Sequence, residues 1–177
     1  MNRIILFFII CTLLVTACYK GHGLSPTTEA IGSSGIRGRI TFTGTWPDST
    51  KEVRVAVLKQ YPKGMTDPDS ILAFVINNLA SFSDTIPRFS DYYDYELALE
   101  PDLYAWVVVI WFPDIPLYFF GVRELGAYYQ DMIQTEYPTP VNVVPGMMIE
   151  GIDIIADFAN LNRQSPFFKR RGRSWTE

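Results

Sequence analysis

Hydrophobic and polar positions change period several times along this chain, and each change marks an element. Over residues 91–100, Tyr93, Tyr95, Leu97 and Leu99 alternate with Asp94, Glu96 and Glu100. A period of two predicts a strand with one apolar and one acidic face. Pro101-Asp102 supplies turn chemistry, and from Leu103 to Phe112 every position is apolar or aromatic, which predicts a strand covered on both faces. The two runs read as a hairpin. Tyr104, Trp106, Val108 and Ile110 would complete the core, and Val107, Val109 and Trp111 would need a second layer.

Similar alternation recurs on either side. Ile36, Ile40 and Phe42 point one way and Arg37, Arg39, Thr41 and Thr43 the other. Val53, Val55 and Val57 form the inner set of a second strand. Residues 67–80 switch to a helical period: Asp67 suits an N-cap, Pro68 the first turn, and Ile71, Val75 and Leu79 recur every four residues, with Leu72, Phe74 and Ile76 beside them in a wide apolar stripe. Residues 81–88 read as a short extended piece and 117–129 as a strand. Residues 141–144 and 147–158, linked by Pro145-Gly146, read as a closing pair with Ile152, Ile154, Ala156 and Phe158 inward. The sum is an all-β fold, a seven- to eight-stranded antiparallel β-sandwich with one helical insertion near 67–80 and no βαβ alternation.

The N-terminus adds an address. Arg3 precedes an apolar run over residues 4–15, short of the roughly 20 residues of a spanning helix, and the run ends Leu14-Val15-Thr16-Ala17-Cys18. This ending resembles the lipobox of bacterial lipoproteins, which implies cleavage before Cys18 and lipid on its sulfur. An ordinary signal peptide with an incidental cysteine, or an uncleaved anchor, would also explain the charge and the apolar run. On the lipoprotein reading, residues 1–17 are a signal peptide and 18–34 a lipidated cysteine with a flexible tether. Residues 35–160 are the sandwich, and 161–177 a basic, aromatic tail. Cys11 leaves with the signal and Cys18 is acylated, so the exported chain has no disulfide and relies on its core. A hydrophobic fraction of 48 % is suited to that. Tyr19, rather than Asp, follows the cysteine. By the lipoprotein resemblance, the inner-membrane retention signal of enteric-type lipoproteins is missing, which implies the outer membrane; its periplasmic side is expected over the inner membrane or the cell surface.

Charge is unevenly spread. Residues 35–160 hold eight basic and seventeen acidic residues, a net of −9, whereas residues 161–177 hold five basic and one acidic, a net of +4. An acidic domain argues against a nucleic-acid partner. The tail could meet an anionic surface or fold back on the acidic domain.

Three short motifs carry a further likeness. Ile36-Arg37-Gly38-Arg39-Ile40, the turn from Leu97 through Pro101-Asp102 to Tyr104, and Val141-Asn142-Val143 leading through Pro145-Gly146 to Gly151-Ile152-Asp153-Ile154 resemble the carboxypeptidase-regulatory-like domains of the transthyretin (prealbumin-like) superfamily. Asp102 stands where those domains usually carry glycine. The resemblance implies a binding or accessory module. The hydroxyisourate hydrolases of that superfamily need several histidines, and this chain has only His22, in the tether.

Motifs for nucleophilic, zinc or phosphate chemistry are missing, so neither a cofactor nor a metal is expected. Asp91, Asp94 and Glu96, and the pair Asp67 and Asp69, lack calcium-loop spacing and read as a strand face and a helix cap. Trp111, Phe112, Tyr118, Phe119 and Phe120 bracket the Pro-rich loop at 113–116. They are the candidate binding residues, for a protein or a glycan, with core packing as the competing role. The expected function is a non-catalytic binding or assembly module anchored in the bacterial envelope. A carbohydrate-binding accessory domain is the alternative, and a hydrolase using two carboxylates a more distant one.

Overall fold

The structure, a computed structural model, describes residues 32–65, 67–133 and 136–162. The expected signal peptide, Cys18, the tether up to residue 31 and the tail from residue 163 lie outside the described residues.

Among the described residues, ten strands and one helix follow in chain order: β1 (Gly35–Thr43), β2 (Thr50–Leu58), α1 (Pro68–Asn78), β3 (Leu79–Phe82), β4 (Tyr92–Ala98), β5 (Asp102–Tyr104), β6 (Trp106–Pro113), β7 (Arg123–Ala127), β8 (Val141–Val143), β9 (Met148–Ile149) and β10 (Ile154–Asp157). One sheet has the order β10-β1-β4, with β9 also on β1; a second has the order β3-β2-β6-β7; β5 and β8 form a small third. None closes on itself. The two larger sheets face each other across one core. Ile36, Ile40, Leu97, Ile154 and Ala156 come from the first, and Val53, Val55, Val57, Val107, Val109 and Leu125 from the second. This layering is consistent with a β-sandwich.

The run over 91–112 is not a hairpin. β4 pairs antiparallel with β1, while β6 pairs with β2 and β7 in the opposite sheet. The segment is an arch that carries the chain from one layer to the other. Its midpoint, β5, pairs with β8. The phase of the apolar run reverses at Ala105: Tyr104 is in the main core, and beyond the bend Val107, Val109 and Trp111 join it. Trp106 and Val108 face a second cluster with Ile71, Ala56 and Leu58, the reverse of the expected faces. Leu103, although inside the apolar run, is exposed.

The sheet is also not purely antiparallel. β9 and β10 both run parallel to β1, on the edge that β4 leaves open. Between them Ile152 N donates to Arg37 O at 3.2 Å and Arg39 N to Asp153 Oδ1 at 2.7 Å. The carbonyl of Ile152 sits so close to Gly38 that a Cβ there would lie 2.1 Å from it, so only glycine fits. Residues 141–144 and 147–158 therefore pair with β5 and β1, not with each other. Of the run at 117–129, only Arg123–Ala127 is a strand; Tyr118–Gly121 is a 3-10 turn.

The helix forms where its signals lie. Asp67 accepts from Ser70 N at 2.9 Å and Pro68 opens the first turn. The carboxyl of Asp67 is held below its usual range by the Ser70 hydroxyl and N–H. Ile71 is buried, whereas Ile76, five residues on, is 66 % exposed.

Candidate functional site

The topology gives the sandwich two distinct ends. Gly35 opens β1 at one, where Leu99 N donates to Ser34 O at 2.9 Å and Gly146 N to Ser34 Oγ at 2.8 Å. This proximal end is therefore where the chain enters the domain. At the other end of β1, about 26 Å away at 3.3 Å per residue, four segments converge: residues 44–49, 83–91, 114–122 and 158–162.

Trp111 belongs to the frame of this distal end, not to its surface. It is 9 % exposed, and its indole N–H donates to Thr50 Oγ1 at 2.9 Å. Thr50 Oγ1 in turn donates to Pro47 O at 2.7 Å, and Asp114 N donates to Ser49 O at 2.7 Å. One buried indole thus fixes the loop between β1 and β2, with every polar group in the chain of bonds satisfied. Phe112 is 7 % exposed, with Tyr118 set edge-on to it at 6.1 Å. Tyr118 is half-buried beneath the Lys51 ammonium, 3.6 Å from its ring centroid. The side chains of Phe119 and Phe120 lie outside the described residues. Burial thus assigns Trp111 and Phe112 to the core. The loop shows its aliphatic residues to solvent: Ile115, and Leu117 at 73 % exposure.

The sequence reading missed a second feature of this end. Trp46 packs on Phe158 (4.6 Å between centroids), Phe42 (4.8 Å) and Phe89 (6.2 Å), and its N–H donates to Ser90 O at 3.2 Å. Arg88 Nη2 donates to Asp48 O at 3.1 Å and its guanidinium stacks over the Phe89 ring. Phe89 itself is 63 % exposed. Its only trace in the sequence is a large aromatic between Pro87 and Asp91, outside both alternating runs.

Phe89 and Leu117 share a further property. Both have left-handed backbone, φ of 63° and 56°, a conformation that costs energy for bulky non-glycine residues. Two exposed apolar side chains are thus held in disfavoured backbone on neighbouring loops of a hydrogen-bonded frame. The arrangement can dock an apolar partner surface. It supplies no nucleophile–base pair.

The carboxylates are dispersed. Asp94 makes a two-pronged ion pair with Arg39 at 2.7 and 3.0 Å, and hydrogen bonding to Arg39 holds its carboxyl below the usual range. Asp102 accepts from Lys59 Nζ at 2.7 Å and from Leu103 N, with the same downward effect, led by the Lys59 bond. Arg37 pairs with Glu150. Glu124, on β7 opposite Ile110, is half-buried on the outer face of its sheet, and desolvation raises its carboxyl to about 7. Among the described residues, no group of three or more His, Cys, Asp or Glu could hold a metal ion. Within the same residues, no helix is long and apolar enough to cross a membrane.

No protein-family model, curated protein or solved structure matches this chain.

Proposed function

We propose that the protein is an exported lipoprotein, anchored through lipid on Cys18 at the periplasmic side of a bacterial outer membrane. Its sandwich, of the prealbumin-like type, is a non-catalytic module that presents its distal loops to a protein partner. One observation carries this reading: the chain enters the domain at one end of β1, and the exposed Phe89, Ile115 and Leu117 stand at the other. A lipid tether entering at the first end leaves the second free to face away from its own membrane.

The prealbumin-like type draws support from two contacts inside the resembling motifs. Gly38 of the opening motif meets the Ile152 carbonyl of the closing one, and Tyr104 of the turn donates its hydroxyl to Glu100 O at 2.7 Å. A protein partner is favoured over a glycan because sugar stacking needs open indole or phenol faces. Here Trp111 and Phe112 are buried and the exposed tips are two aliphatic side chains and one phenyl ring.

The test uses the full chain in its own membrane. A photo-crosslinker at Ile115 should give one dominant protein adduct, lost in the double variant Phe89→Ser/Leu117→Ser while expression and proteolytic resistance persist. Cys18→Ser should abolish acyl labelling and either release the protein from membranes or leave it unprocessed. Unchanged fractionation together with unchanged acyl labelling of Cys18→Ser would sink the anchor. Adducts indifferent to the double variant would sink the distal site.

A further inference from the structure

The proximal end has its own exposed apolar set. Leu103, Met132, Ile133 and Met147 are each more than half exposed. They come from β5, from the turn that follows β7 and from the turn that follows β8. Hydrogen bonds gather these segments at one end. Gln130 N donates to Thr139 Oγ1 at 2.9 Å and Thr139 N to Tyr128 O at 3.0 Å. β5 pairs with β8, and Gly35 N donates to Met147 O at 3.2 Å beside the chain entry. Met132 also has left-handed backbone, φ 57°, so an exposed methionine there is not a product of local preference. Single exposed apolar residues need no explanation, but several around one chain entry mark a contact surface.

We propose that this end rests on a phospholipid bilayer, with Leu103, Met132, Ile133 and Met147 among the headgroups. The proposal rests on the lipoprotein reading, and the chain itself names the occupant. From Cys18 to Gly32 is fourteen residues, which span no more than about 50 Å when fully extended. The bilayer holding Cys18 is therefore always within reach of the proximal end, at an effective concentration a free partner would not match. The contact is apolar in character. The nearby ammonium of Lys59 is already paired with Asp102, so the surface does not select anionic headgroups.

The test uses the full-length lipidated protein in phosphatidylcholine vesicles. Ile133→Cys, Met147→Cys and Leu117→Cys each carry an environment-sensitive fluorophore; acylation of Cys18 leaves no competing thiol. At 133 and 147 the emission should shift to the blue and be quenched at least twofold by a spin label at headgroup depth. At 117 it should match the soluble Cys18→Ser protein, and 0.5 M salt should change neither result. Equal emission at all three positions, or a shift at 117 alone, overturns the docking while vesicle flotation still supports the anchor. Loss of the shift in high salt overturns its apolar character. Failure of the full chain to float with vesicles overturns the anchor and the docking together.

Discussion

Trp111 illustrates how one polar atom can decide a large side chain's role. Its ring joins the main core, and its N–H holds the β1–β2 loop through the Thr50 hydroxyl. Trp111→Ala should therefore cost about 3–5 kcal/mol through the cavity it leaves. Trp111→Phe should recover most of that, lacking mainly a hydrogen bond worth about 1 kcal/mol. Urea denaturation of the soluble Cys18→Ser protein measures both, and an unchanged midpoint for the alanine variant would contradict the core assignment. Glu124 makes the opposite kind of prediction. Desolvation raises its folded pKa from 4.5 to about 7, so the folded state binds the proton more tightly than the unfolded one. Its contribution is then present below pH 4.5, declines as pH rises to about 7 and is level above. Glu124→Gln should remove that slope and stabilise the protein at pH 8 by on the order of 1–3 kcal/mol. Parallel slopes for both proteins between pH 4.5 and 7 would refute the assignment.

At the scale of elements, the arch between β4 and β6 marks what the sequence can and cannot carry. Alternation located both strands, and the inward sets Tyr95, Leu97, Ile154 and Ala156 are in the core. Alternation is local, however, and is blind to which sheet a strand joins. The bend at Ala105 reverses the phase of an all-apolar run, in which no polar residue marks the outer face, so the two faces of β6 were exchanged. The same ambiguity hid the parallel pairing of β10 with β1, since parallel and antiparallel partners use the same residues on one face. The role of Trp111 was hidden for a related reason: its indole N–H is tied to Thr50, 61 residues away. By contrast, helix signals are local and were legible, from the Asp67 cap to the row Ile71, Val75 and Leu79, although Ile76, expected in the same stripe, faces solvent. That stripe makes a direct test. Ile71 packs against the Trp106 and Val108 cluster, so Ile71→Ala should cost about 2–5 kcal/mol. Ile76→Ala, on the open side, should stay within about 0.5 kcal/mol. Equal costs, measured by denaturation, would mean that α1 packs by another face.

At the scale of the whole molecule, two apolar surfaces stand at opposite ends of one sandwich, and a different occupant is proposed for each. The lengths make this testable. β1 spans nine residues, so its two ends differ in height by about 26 Å if the strand stands along the membrane normal. An energy-transfer donor at Met147 and another at Leu117, with acceptor-labelled lipid, then report two heights in the anchored protein. Transfer should be high at 147 and clearly lower at 117, because proximal docking fixes the sandwich upright. A sandwich swinging freely on its tether would give similar efficiencies at both positions, and one lying on the bilayer by a sheet face would do the same. The outer face of the β1 sheet argues against lying down. It carries the ion pairs Arg37–Glu150 and Arg39–Asp94, whose charges would have to be desolvated against lipid. Upright docking leaves those pairs in water and sets Leu103, Met132, Ile133 and Met147, side chains that water already disfavours, against the lipid. It also points Phe89 and Leu117 into the space beyond the membrane, where a second protein can reach them.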